Sequence, residues 1–182
     1  TSTAVGLAPG DYTVTVTDVN NCVETSSTVT ITQPAALSVT ATKVQDVTCN
    51  GAADGSISTA VTGGTTDYTY LWDDVSAQTT STAVGLAPGD YTVTVTDFNN
   101  CVETSSTVTI TQPSSLFLSD TILDSATCST GGIALIRATG GTQDYSYLWD
   151  DGANQITDTA INLAAGIYKV VVTDNNGCKD SI

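Results

Sequence analysis

The sequence has no histidine, no methionine and only four Lys and Arg against 19 Asp and Glu, a formal charge of −15. Without histidine the usual general base is missing. No Cys–base or Ser–base pairing replaces it, so catalysis is not expected. A chain this acidic repels phosphate backbones and anionic lipid, which argues against nucleic-acid and membrane-surface partners. No apolar run approaches the roughly 20 residues of a membrane-spanning helix, and no segment carries an apolar stripe of helical period. Lysine is scarce enough to make isopeptide staples improbable. The acidity is not a sign of disorder: 40% of residues are apolar, and they alternate in strict patterns.

What is present is repetition. Thr1–Pro34 reads TSTAVGLAPGDYTVTVTDVNNCVETSSTVTITQP, and Thr80–Pro113 repeats it with Phe98 in place of Val19 as the one change. The offset is 79 residues (80 − 1). A weaker third copy aligns Leu163–Cys178 with Leu86–Cys101 at an offset of 77 (163 − 86). A period of this length defines a tandem array of small domains. Residues 1–36 read as the back half of one repeat, 37–115 as a complete repeat and 116–182 as a third repeat lacking its last strand. The chain is thus expected to be a window on a longer protein.

Within the complete repeat, Tyr91-Thr-Val-Thr-Val-Thr96 alternates with period 2, as a half-buried strand does. Asn50-Gly51, Asp54-Gly55, Gly63-Gly64, Pro88-Gly89, Asn99-Asn100 and Gln112-Pro113 supply turns. Strands are expected over 37–48, 55–62, 68–73, 80–86, 90–97 and 103–111. The fold class is all-β: tandem immunoglobulin- or PKD-like β-sandwiches of about 79 residues. Trp72 and Trp149 stand mid-domain, where such a sandwich keeps its central tryptophan. Tyr12, Tyr91 and Tyr168 follow a glycine turn, in the position of a tyrosine corner. These five aromatic residues are expected in the core.

The ordered motifs VTCNGAADGSIS (47–58), VTGGTTDYTYLWDD (61–74) and GLAPGDYTVTVTDFNNC (85–101) resemble the SprB repeat family of bacterial cell-surface proteins. ATGGTQDYSYLWDDG (138–152) and NLAAGIYKVVVTDNNGC (162–178) carry the resemblance into the third repeat. It departs at 128–141, which is two residues shorter than 49–64 and lacks the Asp-Gly of the turn. The resemblance implies a large extracellular adhesin, of the kind gliding bacteria move along their surface and export through the type IX system. Asp120-Thr121-Ile122, Asp124-Ser125-Ala126, Asp158-Thr159-Ala160 and Asp180-Ser181-Ile182 look like the O-glycosylation triplet of the phylum in which that family is mostly found. They mark Thr121, Ser125, Thr159 and Ser181.

The five cysteines fall at two places in the repeat. Cys49 and Cys128 sit in an early turn, and Cys22, Cys101 and Cys178 in a late one. Regular cysteines in small β-domains indicate disulfides and an oxidising, extracellular setting. Two pairings stay open. Bonds within a repeat would join Cys49 to Cys101 and Cys128 to Cys178. However, the two turns lie at opposite ends of a sandwich, about 25 Å apart along a strand of eight residues, whereas a disulfide needs Cα atoms within about 7 Å. The preferred pairing therefore crosses a domain boundary, Cys49 with Cys178. Cys22, Cys101 and Cys128 then find partners outside the window.

Other residues carry weaker signals. Asp97, Asn99 and Asp174 in late turns, with Asn50 and Asp54 in the early turn, offer oxygens that calcium could use where two domains meet. Tight turns need the same residues without any ion, and no cofactor is required. Asp73-Asp74 and Asp150-Asp151 read as solvated turns rather than glycosidase carboxylates, because neighbouring strand residues face opposite ways. The leading functional expectation is a structural stalk or adhesive region. Its expected partners are neighbouring repeats of its own chain, with surface glycans or other cells as further candidates. The alternative is a carbohydrate-binding β-sandwich module using loops 63–67 and 73–79.

Overall fold

A computed structural model describes residues 2–182, and every regular element in it is a strand. Four short strands come first: β1 (Gly10–Tyr12), β2 (Thr15–Thr17), β3 (Val23–Thr25) and β4 (Val29–Ile31). The complete repeat holds β5 (Ser38–Gln45), β6 (Gly55–Thr62), β7 (Thr69–Trp72), β8 (Thr82–Leu86), β9 (Gly89–Tyr91), β10 (Val93–Thr96), β11 (Val102–Thr104) and β12 (Val108–Ile110). The third unit holds β13 (Phe117–Asp124), β14 (Gly132–Thr139), β15 (Ser146–Trp149), β16 (Thr159–Leu163), β17 (Val170–Thr173) and β18 (Lys179–Ser181).

In the complete repeat, β5-β6-β8 form one sheet, β11-β10-β7 a second, and β12-β9 a short ribbon at their edge. All pairs are antiparallel. The alternating positions read from the sequence meet between the sheets. Ile57, Ala83 and Leu86 from the first sheet pack with Trp72, Val93 and Val95 from the second, and Ile110 from the ribbon closes the cluster. The third unit repeats the plan, with sheets β13-β14-β16 and β15-β17-β18 around Trp149, Ile136, Val170 and Val172. These are two immunoglobulin-like sandwiches in tandem.

The structure corrects the expected strands in one respect. The spans 90–97 and 103–111 are each broken in two. Ser105 is the cause: its hydroxyl accepts the Val93 N–H at 3.2 Å, so a side chain interrupts the backbone ladder there. Asp73 helps from the other side, accepting the Thr92 N–H at 2.9 Å and its hydroxyl at 2.8 Å.

Both tryptophans lie in the core, with Trp72 1% and Trp149 3% exposed. Each indole N–H donates at 2.9 Å, to the carbonyls of Thr80 and Thr157 respectively. The three tyrosines differ from expectation. Tyr12, Tyr91 and Tyr168 are only half-buried. Each places its ring at the rim so that its hydroxyl reaches the carbonyl four residues back: Ala8 at 2.8 Å, Ala87 at 2.9 Å and Ala164 at 3.0 Å. A phenol needs such a partner, which keeps it from the apolar centre.

The near-identical copies form the same ribbons. Gly10 pairs with Ile31 as Gly89 pairs with Ile110, and Thr15 with Thr25 as Thr94 pairs with Thr104. Their burial is opposite. Val14 and Val16 are 59% and 61% exposed, whereas Val93 and Val95 are 0% exposed. Local sequence makes the ribbon, and a facing sheet makes the core.

Candidate functional site

The early turn of the complete repeat is organised by two carboxylates. Asp54 accepts the Thr48 N–H at 3.0 Å and also bonds the Thr48 hydroxyl. Asp46 accepts the Thr111 N–H at 2.7 Å and pairs with Lys43 at 2.8 Å. The turn also holds the junction that leaves the domain. Gly51 N–H donates to the Gln112 side-chain carbonyl at 2.7 Å, and the Asn50 amide donates to the Pro113 carbonyl at 3.0 Å. Gln112-Pro113 is therefore fastened to its own domain rather than free to swing. The proline has no N–H to lose there.

The late turn of the third unit faces this surface. Asp174 is buried, and its carboxylate accepts the N–H groups of Asn176 and Cys178 at 2.9 Å and of Thr142 at 2.8 Å. The glycine pair at 140–141 seats the incoming chain: Gly141 N–H donates to the Ser114 carbonyl at 2.9 Å. The same arrangement recurs one repeat earlier, where Gly64 N–H donates to Ala35 at 2.8 Å and Asp97 accepts Thr65 and Cys101 N–H groups.

Two contacts bridge the boundary. The Asn176 amide donates to the Thr48 carbonyl at 2.9 Å. Cys49 and Cys178 are joined by a disulfide, with Cα atoms 5.7 Å apart and a sequence separation of 129. Cys22, Cys101 and Cys128 are free thiols at the surface, so no bond within a repeat is present. The Asp97 charge, then desolvation and a hydrogen bond from the thiol to that carboxylate, push the Cys101 thiol above its ordinary value.

The residues considered for calcium are divided by the fold. Asn50 and Asp174 line one small cleft at the joint. Asp97 and Asn99 belong instead to the late turn of the complete repeat, where the Asn99 amide donates to the Thr65 hydroxyl at 2.8 Å. The Asp54, Asp97 and Asp174 oxygens already accept hydrogen bonds. Among the described residues no three acidic or cysteine side chains are grouped to hold a metal. These contacts make them turn-builders.

After β7 and β15, Asp73 and Asp150 are exposed as expected, and the second aspartate of each pair departs from a solvated turn. Asp151 is 7% exposed and Asp74 half-buried. Asp74 accepts the Gln78 backbone at 2.9 Å and side chain at 3.0 Å, and Asp151 does the same with Gln155 at 2.9 Å in both cases. Each glutamine then pairs with the backbone of the next strand, at Val84 or Ile161. The sequence signal for this is Asp-x-x-x-Gln, recurring in DDVSAQ and DDGANQ. Near the loops considered for carbohydrate, Tyr68 and Tyr70 pack against the core, and Tyr68 donates to the Gly63 carbonyl at 2.6 Å. Both are half-buried. Of the glycosylation candidates, Thr121, Ser125 and Ser181 are exposed and Thr159 is half-buried within β16.

A family model recognises part of each of the two sandwiches. Residues 41–77 and 122–154 match the SprB repeat. The chain carries SprB repeats. Each matched segment spans the early turn, the glycine pair and the tryptophan strand of its unit. Among solved structures, a C-terminal 282-residue fragment of intimin, crystallised with the intimin-binding domain of the translocated intimin receptor, is similar at 12% identity and TM-score 0.41 over 83% of this chain. A tetra-tandem repeat from the extending region of a large adhesion protein is similar at 13% identity and TM-score 0.29 over 98% of this chain. The chain spans 63% and 56% of those two structures. No curated protein matches the sequence.

Hydrogen bonding in the turns of these SprB repeats sets an acid limit on stability. Lys43 and the Thr111 N–H hold Asp46 below the usual carboxylate range, and Thr48 does so for Asp54. The Thr65 N–H lowers Asp97, and Gln155 lowers Asp151. A lowered folded-state value means the stabilisation is fully present above the unfolded carboxylate value of about 3.9. It is lost as pH falls through the folded-state values beneath that. With no histidine to titrate, the melting temperature is expected to stay level from about pH 5 to 8 and to drop below about pH 4. Asp97→Asn should flatten that acid limb while lowering stability at neutral pH, which thermal melts across pH will show.

Proposed function

We propose that this chain is a stalk segment of a long extracellular bacterial adhesin, of the kind that gliding bacteria export through the type IX system and use for attachment and movement. The observation that carries the reading is the joint. Consecutive SprB repeats meet through a disulfide, a side-chain bridge and a junction fastened to its own domain, with no free linker between them. Repetition of such joints gives reach and stiffness without a catalytic centre. The partners are neighbouring repeats of the same chain. The disulfide agrees with an oxidising exterior, and the strongly acidic surface keeps the stalk soluble and clear of anionic surfaces.

An antibody raised against this chain should label long filaments on intact cells that make the protein, and the label should travel along the surface of gliding cells. Labelling only after lysis would overturn the surface reading. Label that stays fixed on moving cells would remove the gliding role and leave the stalk. Strong binding of a single repeat on a glycan array would favour the carbohydrate-binding alternative.

A further inference from the structure

We infer that the joint disulfide is a tension bypass that makes the stalk nearly inextensible, an inference that rests on the stalk reading. When the two ends are pulled apart, load reaches Cys49 through β5 and leaves Cys178 through β18. Two covalent routes join these cysteines: the bond itself, spanning 5.7 Å between Cα atoms, and the intervening chain, which covers a sequence separation of 129. The short route tightens first. Strands β6–β12 and β13–β17, which contain both cores, lie inside the closed loop and are sheltered from stretching even if they unfold.

Within the complete repeat, the segment left in the load path has little slack. β5 is a strand, at roughly 3.3 Å per residue, and a fully extended chain reaches only about 3.3–3.6 Å per residue. The load-bearing strand is therefore close to full length while still folded.

The other thiols extend the scheme. Cys101 and Cys22 occupy the late-turn place that Cys178 holds, and Cys128 the early-turn place of Cys49. In an array closed at every joint, load entering at Cys101 passes to Cys128 through 27 residues (128 − 101). These comprise β11, β12, the Gln-Pro junction and β13, so that 14 of them (3 + 3 + 8) are already strand. The next bond then carries the load past another repeat. Strands that were already taut would bear the stalk, and the sandwiches would hang from them.

The test is to tether this chain at residues 1 and 182 and stretch it singly, oxidised and then with reductant. Reduced chain should reach the length of all 182 residues. Oxidised chain should reach only that of residues 1–48 and 179–182, roughly a three- to fourfold shorter final length at about 3.5 Å per residue. Cys49→Ser should stretch like reduced chain without reductant; should that variant fold poorly, reduction of the native chain on the same tether makes the comparison. Equal final lengths for oxidised and reduced chain would overturn the bypass. So would an intermediate length, which signals bonds within each repeat. Surface labelling by antibody is untouched by either outcome, so the stalk reading stands or falls separately.

Discussion

Gly63→Ala and Gly140→Ala are each expected to destabilise their sandwich by more than about 3 kcal/mol and to unseat the chain entering it. Both glycines have positive φ, +69° and +74°, which costs a residue with a side chain about 1–2 kcal/mol. The larger penalty is steric. A Cβ at 63 would lie 1.9 Å from the Ala36 carbonyl oxygen, and one at 140 would lie 2.0 Å from that of Ser115. Those oxygens belong to backbone packed along the glycine pair, so no rotamer change relieves the clash. Gly51→Ala is the control. Its φ is +78° but nothing stands within 4 Å of the new Cβ, so only the conformational cost of about 1–2 kcal/mol remains. Thermal melts should separate them, at roughly 4–8 °C per kcal/mol for a domain of this size. A small shift for Gly63→Ala, equal to that for Gly51→Ala, would mean the entering chain is not seated as described.

Trp72→Ala and Trp149→Ala should each cost about 3–5 kcal/mol, the usual range for removing a buried tryptophan. The residues are equivalent in sequence and in burial, at 1% and 3% exposed. Trp72 packs with Ile57, Val93, Val95 and Ile110, and Trp149 with Ile136, Leu163, Val170 and Val172. Removing either indole leaves its facing side chains without contacts on one side. Each variant keeps one tryptophan, so its fluorescence follows the unmutated unit while circular dichroism follows the whole chain. In Trp72→Ala, circular dichroism should show an early transition that Trp149 fluorescence does not share. Simultaneous loss of both signals in Trp72→Ala would show that the two sandwiches unfold as one unit.

Much of the fold is legible in the amino-acid sequence. Alternating Val and Thr place the strands, and Asn-Gly, Gly-Gly and Gln-Pro place their ends. The positions of Trp72 and the tyrosines point to the sandwich. The hydrogen-bond roles of Asp46, Gln78 and Gln112 are not legible, because a polar residue in a turn reads as solvated until its partner is known. Gln112 meets Gly51 only after the chain has returned 61 residues in sequence. The cysteine pairing is legible only through the expected sandwich, whose strand length keeps the early and late turns of one repeat apart and favours Cys49–Cys178, the bond found. The direction in which one sandwich stacks on the next decides which turns meet.

The near-identical copies separate the two contributions. In both, the sequence by itself determined the ribbons, their registers, the tyrosine hydrogen bond and the Asp-capped late turn. These depend on contacts within a few tens of residues and form wherever that stretch occurs. Burial was decided only by tertiary structure. Val93 and Val95 are enclosed because a second sheet from residues 38–86 faces them. Hydrogen-bond geometry is local and travels with the sequence. The hydrophobic gain needs an apposed surface, which a repeat does not carry within its own ribbon.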